Sequence, residues 1–328
     1  MKTRQIGPFA VSSVGFGCMS LSHAYGAPPE RAGSERVLLG ALDAGYTFFD
    51  TAATYGFGAN ETLVGDVLSP HRRRFTLASK CGLGRNAEGK REINGRPENL
   101  KATLEESLTR LKTDVIDLYY LHRWDKRVPI EESVGALSDM VAQGKVRTIG
   151  LSEVSAETVR KAHAVHPITA VQSEYSPWTR NPEIGVLETC RQIGAAFVAF
   201  GAVGRGFLAG NLPEPVFVPG DIRAGMPRFQ GDNFAANLAL LETLDALAAE
   251  AGCNKAQLCL AWTLARGEHV VPITGTTNPD HMEENVGADG VVPTASIIER
   301  LDALAARVHG ERYAPATQAE IDTERFAA

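Results

Sequence analysis

What most constrains this chain is a rhythm: short apolar runs alternate with stretches of helical periodicity along almost its whole length. The runs at residues 13–18, 47–50, 75–80, 115–121, 146–151, 168–172, 196–200 and 270–273 read as strands. Between them, residues 96–111 place Leu100, Leu104, Leu108 and Leu111 at helical spacing, and residues 130–141 repeat the pattern before Gln143-Gly144 ends it. Eight strands separated by crossover helices predict an α/β fold, a closed (β/α)8 TIM barrel, in a single domain spanning residues 1–328. Three segments are surplus to that unit: residues 4–10 before the first strand, a Gly- and Pro-rich loop at 201–233 after the seventh, and residues 296–308 near the end. A doubly wound open sheet shares the alternation and stays open as the rival.

Charge and cysteine usage narrow the function. The net charge is −6 and the pI near 5.8, without the concentrated basic face that nucleic-acid binding needs. The one basic run, His71-Arg72-Arg73-Arg74, leads into an apolar strand and reads as a solvated connection. No window approaches the ~20 apolar residues of a membrane span. The start, Met1-Lys2-Thr3-Arg4-Gln5, lacks a signal peptide's apolar stretch, so a cytoplasmic location is expected. Cys18, Cys81, Cys190, Cys253 and Cys259 form an odd set without Cys-x-x-Cys, pointing to reduced packing residues. The histidines are scattered, and His163 and His166, spaced i, i+3, read as helix surface, so no metal is expected.

In a barrel every strand directs its C-terminal end to one shared face, which makes polar strand-end residues the candidates for chemistry. The second strand ends Phe48-Phe49-Asp50 and runs on through Thr51-Ala52-Ala53-Thr54-Tyr55-Gly56. The third ends Ala78-Ser79-Lys80 and the fourth Tyr119-Tyr120-Leu121-His122. Each side chain has an ordinary alternative: Asp50 as a cap, Tyr55 as a rim aromatic, Lys80 as a solvated cation, His122 as a satisfied core histidine. Together they form an acid–base set for a carbonyl. A phenol of pKa near ~10 exchanges protons poorly at neutrality. Lys80 stabilises the phenolate in this reading, Asp50 keeps Lys80 protonated and in place, and His122 orients the substrate oxygen.

These four residues resemble the catalytic tetrad of the aldo-keto reductase superfamily, and the likeness covers nearly the whole chain. It is carried by Gly15-Phe16-Gly17-Cys18-Met19, Asp50-Thr51-Ala52 to Tyr55-Gly56, Gly150-Leu151-Ser152-Glu153 and Gln172-Ser173-Glu174-Tyr175. Gly204-Arg205-Gly206-Phe207-Leu208 and Glu283-Glu284-Asn285-Val286-Gly287-Ala288 follow in order. The set is most similar to the bacterial and fungal branch that includes pyridoxal-reductase-like enzymes. The resemblance implies NADPH, or NADH, extended across the top of the barrel. It also implies hydride transfer to a small-molecule aldehyde or ketone, with Tyr55 as proton donor.

Residue by residue, the resemblance places Ser152 and Gln172 on the nicotinamide amide and Phe200 on the ring face, where many members have Tyr. Glu153 matches the next position, where more distant members have Asn. Gly201, Val203 and Arg205 would wrap the pyrophosphate, and Glu284 and Asn285 would meet adenine. Gly204-x-Gly206-x-x-Ala209 also fits a dinucleotide fingerprint, but Pro213 and Pro215 follow where that motif opens a helix, so a Rossmann reading is rejected. At the 2′-phosphate end, Gly275-Thr276-Thr277-Asn278 stands where many relatives read Gly-Thr-Lys-Arg, and His281 where a further Arg is frequent. Neutral donors there predict weakened discrimination against NADH. Tyr25, Phe57, Trp124 and Trp178 are candidates for the pocket wall. A nucleotide-binding redox-sensing or regulatory protein with slow turnover is the alternative function. Substrate identity, physiological direction and oligomeric state stay open.

Overall fold

Strands covered on both faces need apolar side chains on both, and the apolar runs meet that demand. The computed structural model describes residues 1–212 and 214–326; Pro213 and the last two residues of the expected 1–328 domain lie outside the described residues. The chain opens with a hairpin, β1 (Thr3–Ile6) and β2 (Phe9–Ser12), over the first surplus segment. Then come β3 (Gly15–Gly17), β4 (Phe48–Asp50) and β5 (Thr76–Cys81), followed by a second hairpin, β6 (Leu83–Arg85) and β7 (Arg91–Ile93). The series ends with β8 (Ile116–Leu121), β9 (Val146–Ser152), β10 (Ile168–Glu174), β11 (Ala196–Phe200) and β12 (Val270–Thr274). The ring β10-β11-β12-β3-β4-β5-β8-β9 is closed and parallel throughout, which excludes the open doubly wound sheet.

Helices α1 (Arg31–Asp43), α2 (Ala59–Leu68), α3 (Pro97–Leu111), α4 (Ile130–Ala142), α5 (Ala156–Val165) and α6 (Val186–Ile193) connect successive barrel strands. The β11–β12 crossover carries α7 (Gly231–Ala251) and α8 (Lys255–Leu264). Helices α9 (Pro279–Val286), α10 (Ala295–Asp302) and α11 (Pro315–Ala319) follow the last strand. Helix α3 starts on Pro97, whose fixed φ and missing N–H suit a first turn, and ends on Lys112 at φ 52. The long loop ends slightly earlier than expected, at the start of α7, and contains 3-10 turns at Gly204–Gly206, Ile222–Gly225 and Pro227–Phe229. No helix opens after Gly206, in keeping with the rejected Rossmann motif.

Two apolar regions hold the barrel. Phe49, Leu77, Tyr119 and Leu121 point outward to the helices, while Phe48, Ala78, Leu118, Tyr120, Ala170 and Val198 fill the interior. Ile6 and Val11 of the first hairpin join the interior cluster. Arg4 fastens that hairpin to the strand-start end by donating to Leu264 O (2.8 Å) and Val270 O (2.5 Å). Because strand side chains alternate, Asp50, Lys80, His122 and Gln172 share the inward parity of Phe48, Ala78, Tyr120 and Ala170, two residues earlier. Fitting Tyr120 inside requires a bare backbone opposite: a Cβ on Gly150 would lie 2.5 Å from its ring and 2.7 Å from Ala170 O. Gly150→Ala is therefore expected to cost about 1–3 kcal/mol of stability, read from the denaturant midpoint; an unchanged midpoint would refute this packing account.

Two surface readings need correction. Arg72 of the basic run is a clamp, donating to Asp117 Oδ2 (2.6 Å), Phe75 O (3.0 Å) and Val115 O (3.2 Å), so it satisfies acceptors at the starts of β5 and β8. His163 and His166 are half-buried; Ile168 N donates to His163 Nδ1 (3.1 Å), and His166 Nδ1 bonds Ser138 Oγ (2.9 Å). All five cysteines are free, and burial pushes the Cys81 thiol up to about 12. Among the described residues no helix is long and apolar enough to cross a membrane, and no cluster of three metal-ligating side chains occurs.

Candidate active site

The loop after β4 must fold back sharply to bring Tyr55 over β5. Gly56, Phe57 and Gly58, at φ 55, 52 and 93, make that reversal. Asn60 pins the loop: it accepts from Thr51 Oγ1 (2.6 Å) and donates to Cys18 O (2.8 Å) at the end of β3. Lys80 then spends its three N–H donors on Asp50 Oδ1, Thr51 O (2.8 Å) and Tyr55 Oη (3.3 Å). The second Asp50 oxygen accepts from Gln172 Nε2 (2.8 Å). Four elements thus fix one ammonium and, through it, one phenol.

Burial sets the protonation states. It pushes the Tyr55 phenol above its ordinary value, outweighing the opposing pull of Lys80, which acts in the expected direction. Burial also opposes the Lys80 charge, but Asp50 and Tyr55 together hold it above the usual lysine value. His122 is pushed well below the histidine range by burial first, then by Arg123 and Lys80, and is neutral at physiological pH. Its ring stands edge-on to Tyr55 at 5.7 Å between centroids, and its Nδ1 has no partner. A protonated phenol and a neutral imidazole face the same space, and a fixed, buried ammonium backs the phenol.

That space is a cavity of about 1280 Å³. Asp50, Tyr55, His122, Ser152 and Gln172 line one end; Phe200, Gly201, Val203 and Arg205 form the middle; Gly275, Thr276, Thr277, Asn278, His281, Glu284 and Asn285 form the far end. Such length, acid–base groups at one end and hydrogen-bond donors at the other suit an extended dinucleotide. Gly275 is required by the packing of the chain after β12 against β3, since a Cβ there would collide with Gly17 O. Ser152 Oγ accepts from Arg123 (3.2 Å). Arg205 reaches the wall with its fork already engaged by Glu174 (2.6 Å), Tyr313 Oη (2.8 Å) and Tyr25 Oη (2.9 Å).

Some sequence candidates lie elsewhere. Glu153 is buried off the cavity: at φ 58 it turns away, accepting from Glu174 N (3.0 Å) and pairing with Arg312. Tyr25 and Phe57 line the wall, but Trp124 donates to Val128 O (2.9 Å) behind it, and Trp178 is buried in a stack with Phe207 at 5.0 Å. Sequence reasoning missed His23, Arg123, Lys255, Tyr313 and the β6–β7 hairpin, all at the cavity. Arg123 directly follows His122 at a strand end and was available to the same rule; Tyr313, from a segment outside the barrel rhythm, carried no signal.

The family described as Aldo/keto reductase family matches residues 13–306. A relative from Schizosaccharomyces pombe, aldo-keto reductase yakc, NADP(+), is 43% identical over 97% of this chain and 96% of its own. A Glycine max protein, probable aldo-keto reductase 1, is 45% identical over 85% of this chain and 81% of its own. Among solved structures, the glycerol dehydrogenase AKR11B4 from Gluconobacter oxydans superposes with a TM-score of 0.85 at 28% identity, covering 96% of this chain and 98% of that one. With tetrad-type geometry in a closed barrel and a match running through most of its length, the chain belongs to the aldo/keto reductase family of NAD(P)H-dependent oxidoreductases.

Proposed function

We propose that this protein reduces aldehydes or ketones to alcohols with NADPH, with Tyr55 as the proton donor. The observation that carries the reading is the Lys80 ammonium, fixed by Asp50 and Thr51 O and set against the Tyr55 hydroxyl on the wall of an elongated cavity. NADPH supplies the hydride. Tyr55, protonated because it is buried, gives its proton to the forming alkoxide. The neutral His122 imidazole directs the carbonyl oxygen by a hydrogen bond, and Lys80 stabilises the phenolate left behind. Ser152, Gln172 and Phe200 would hold the nicotinamide; Gly201, Val203 and Arg205 the pyrophosphate; Gly275 to Asn278, His281, Glu284 and Asn285 the adenosine end. The name of the S. pombe relative supports NADP use. The same reading has one domain over residues 1–328 working in the cytoplasm on a small molecule, without nucleic acid or membrane.

The test is a panel of aldehydes assayed with NADPH while cofactor oxidation and alcohol formation are followed together. One-to-one turnover is expected. Tight NADPH binding with negligible turnover across the panel would instead favour a redox-sensing role.

Lys255, at the start of α8, supplies a cation to the far end where sequence reading found neutral donors. It pairs with Asp245. The preference for NADPH over NADH in kcat/KM is expected to fall about tenfold in Lys255→Met, the size of one charge-assisted hydrogen bond. An unchanged ratio would remove Lys255 from the 2′-phosphate site.

A further inference from the structure

Most cations around the cavity are paired with carboxylates; among the described residues Arg85, which lies over the Phe57 ring at the mouth, and Arg123 are not. Asp50 holds Lys80, and Glu320 at the mouth holds Arg91. Deeper, Glu153 and Glu174 face Arg205 and Arg312, two carboxylates against two guanidiniums. Arg228 nearby lies off the cavity and is satisfied by Thr179 Oγ1 (2.7 Å) and Gly310 O (3.2 Å). Arg123 belongs to none of these pairs. It follows His122, lines the cavity, and has no carboxylate oxygen within 4.0 Å among the described residues. Its Nη1 donates to His122 O (2.5 Å) and Ser152 Oγ (3.2 Å); its buried Nε has no partner.

An uncompensated guanidinium in a half-buried wall is costly, and its planar fork is the natural receptor for a carboxylate. Burial holds this arginine below its ordinary pKa. We propose that Arg123 receives a carboxylate carried by the carbonyl substrate, which makes short oxo acids and formyl acids the preferred substrate class. The inference rests on the reductase reading above. A single uncompensated guanidinium next to His122 calls for a monoanion there. Because Arg123 is adjacent to His122, the carboxylate lies a few bonds from the carbonyl that His122 and Tyr55 engage. Arg85 and Arg91, on the exposed hairpin, add positive potential at the mouth, but Arg91 is held by Glu320 and Arg85 lies over the Phe57 ring at 3.5 Å.

The experiment compares 4-oxobutanoate and 4-formylbenzoate with their methyl esters, as kcat/KM with NADPH, in the wild type, Arg123→Gln and Arg123→Lys. The wild type is expected to prefer each acid by about 10- to 100-fold, the range for a hydrogen-bonded charge pair. The preference disappears in Arg123→Gln and returns in part in Arg123→Lys, chiefly through KM. A role confined to tuning Tyr55 or placing Ser152 lowers acid and ester alike and leaves their ratio intact. A wild-type ratio near one, or a ratio that survives in Arg123→Gln, overturns the proposal; the wild-type ratio decides even where a variant fails to fold. Ester turnover without acid preference defeats this inference alone, whereas no turnover of any compound defeats the reductase reading and this inference with it.

Discussion

Tyr55→Phe is expected to lower carbonyl reduction by about 10²- to 10⁴-fold, the usual worth of a positioned general acid. Cofactor affinity should stay within about twofold, because the change removes one hydroxyl and no cofactor contact in the proposed arrangement. The ring keeps its packing between His23 and His122, at 5.5 and 5.7 Å, and Lys80 keeps Asp50 and Thr51 O as acceptors. Single-turnover kinetics and a binding titration on the same preparation check both halves; a variant with about half the wild-type chemical rate or more would remove Tyr55 from the donor role. The pH profile carries the same logic. A phenol held above its ordinary value stays protonated through neutrality, and a histidine held well below its own stays uncharged. Reduction is therefore flat across the neutral range and declines only on the alkaline side. Alcohol oxidation, which needs the phenolate, climbs with pH.

The second large effect concerns Lys80 and Asp50 as a unit. Lys80→Met removes the larger of the two charges, Lys80 and Arg123, that oppose burial at Tyr55, so the phenol rises further and oxidation suffers more than reduction. The change also strands Asp50, buried with only Gln172 as a side-chain donor, and breaking such a pair costs about 3–5 kcal/mol. Asp50→Asn releases Lys80 from its anchor and is expected to cost about 10²-fold in kcat. In the double variant the rate losses are less than multiplicative, and stability partly recovers relative to Lys80→Met because no lone charge remains. Rates and denaturant midpoints of the four proteins decide this; multiplicative losses would separate the two residues.

The barrel was legible because its strands are short apolar runs at regular intervals, and the tetrad because three such runs end in residues of complementary chemistry. The second hairpin was not. Its strands, Leu83-Gly84-Arg85 and Arg91-Glu92-Ile93, are short, polar and half-exposed, with no apolar alternation to betray them. Glu153 illustrates a different failure: its place in a matched stretch was visible, but a positive φ, a backbone property, turns its carboxylate away from the cavity. Trp124 and Trp178 show that a loop aromatic has no sequence mark separating pocket wall from packing. The weight of burial at Tyr55 was equally out of reach, since desolvation depends on everything packed around the phenol rather than on the residue types beside it.

The segment from Tyr313 to Glu324 has a meaning for how this scaffold can change. It crosses the rim and fastens there by Asp322 to Ser155 and Thr158, by Glu324 to Ala156 N, and by Lys126 to Ala319 O and Ile321 O. Tyr313, Thr317, Glu320 and Ile321 of the same stretch face the cavity. One contiguous piece of chain therefore supplies a share of the chamber's roof while contributing no strand to the barrel. It has the build of an exchangeable cassette: a graft that keeps the rim fastenings but replaces the roof residues is expected to alter what the chamber admits, while the cluster of Asp50, Tyr55, Lys80 and His122 below stays as it is.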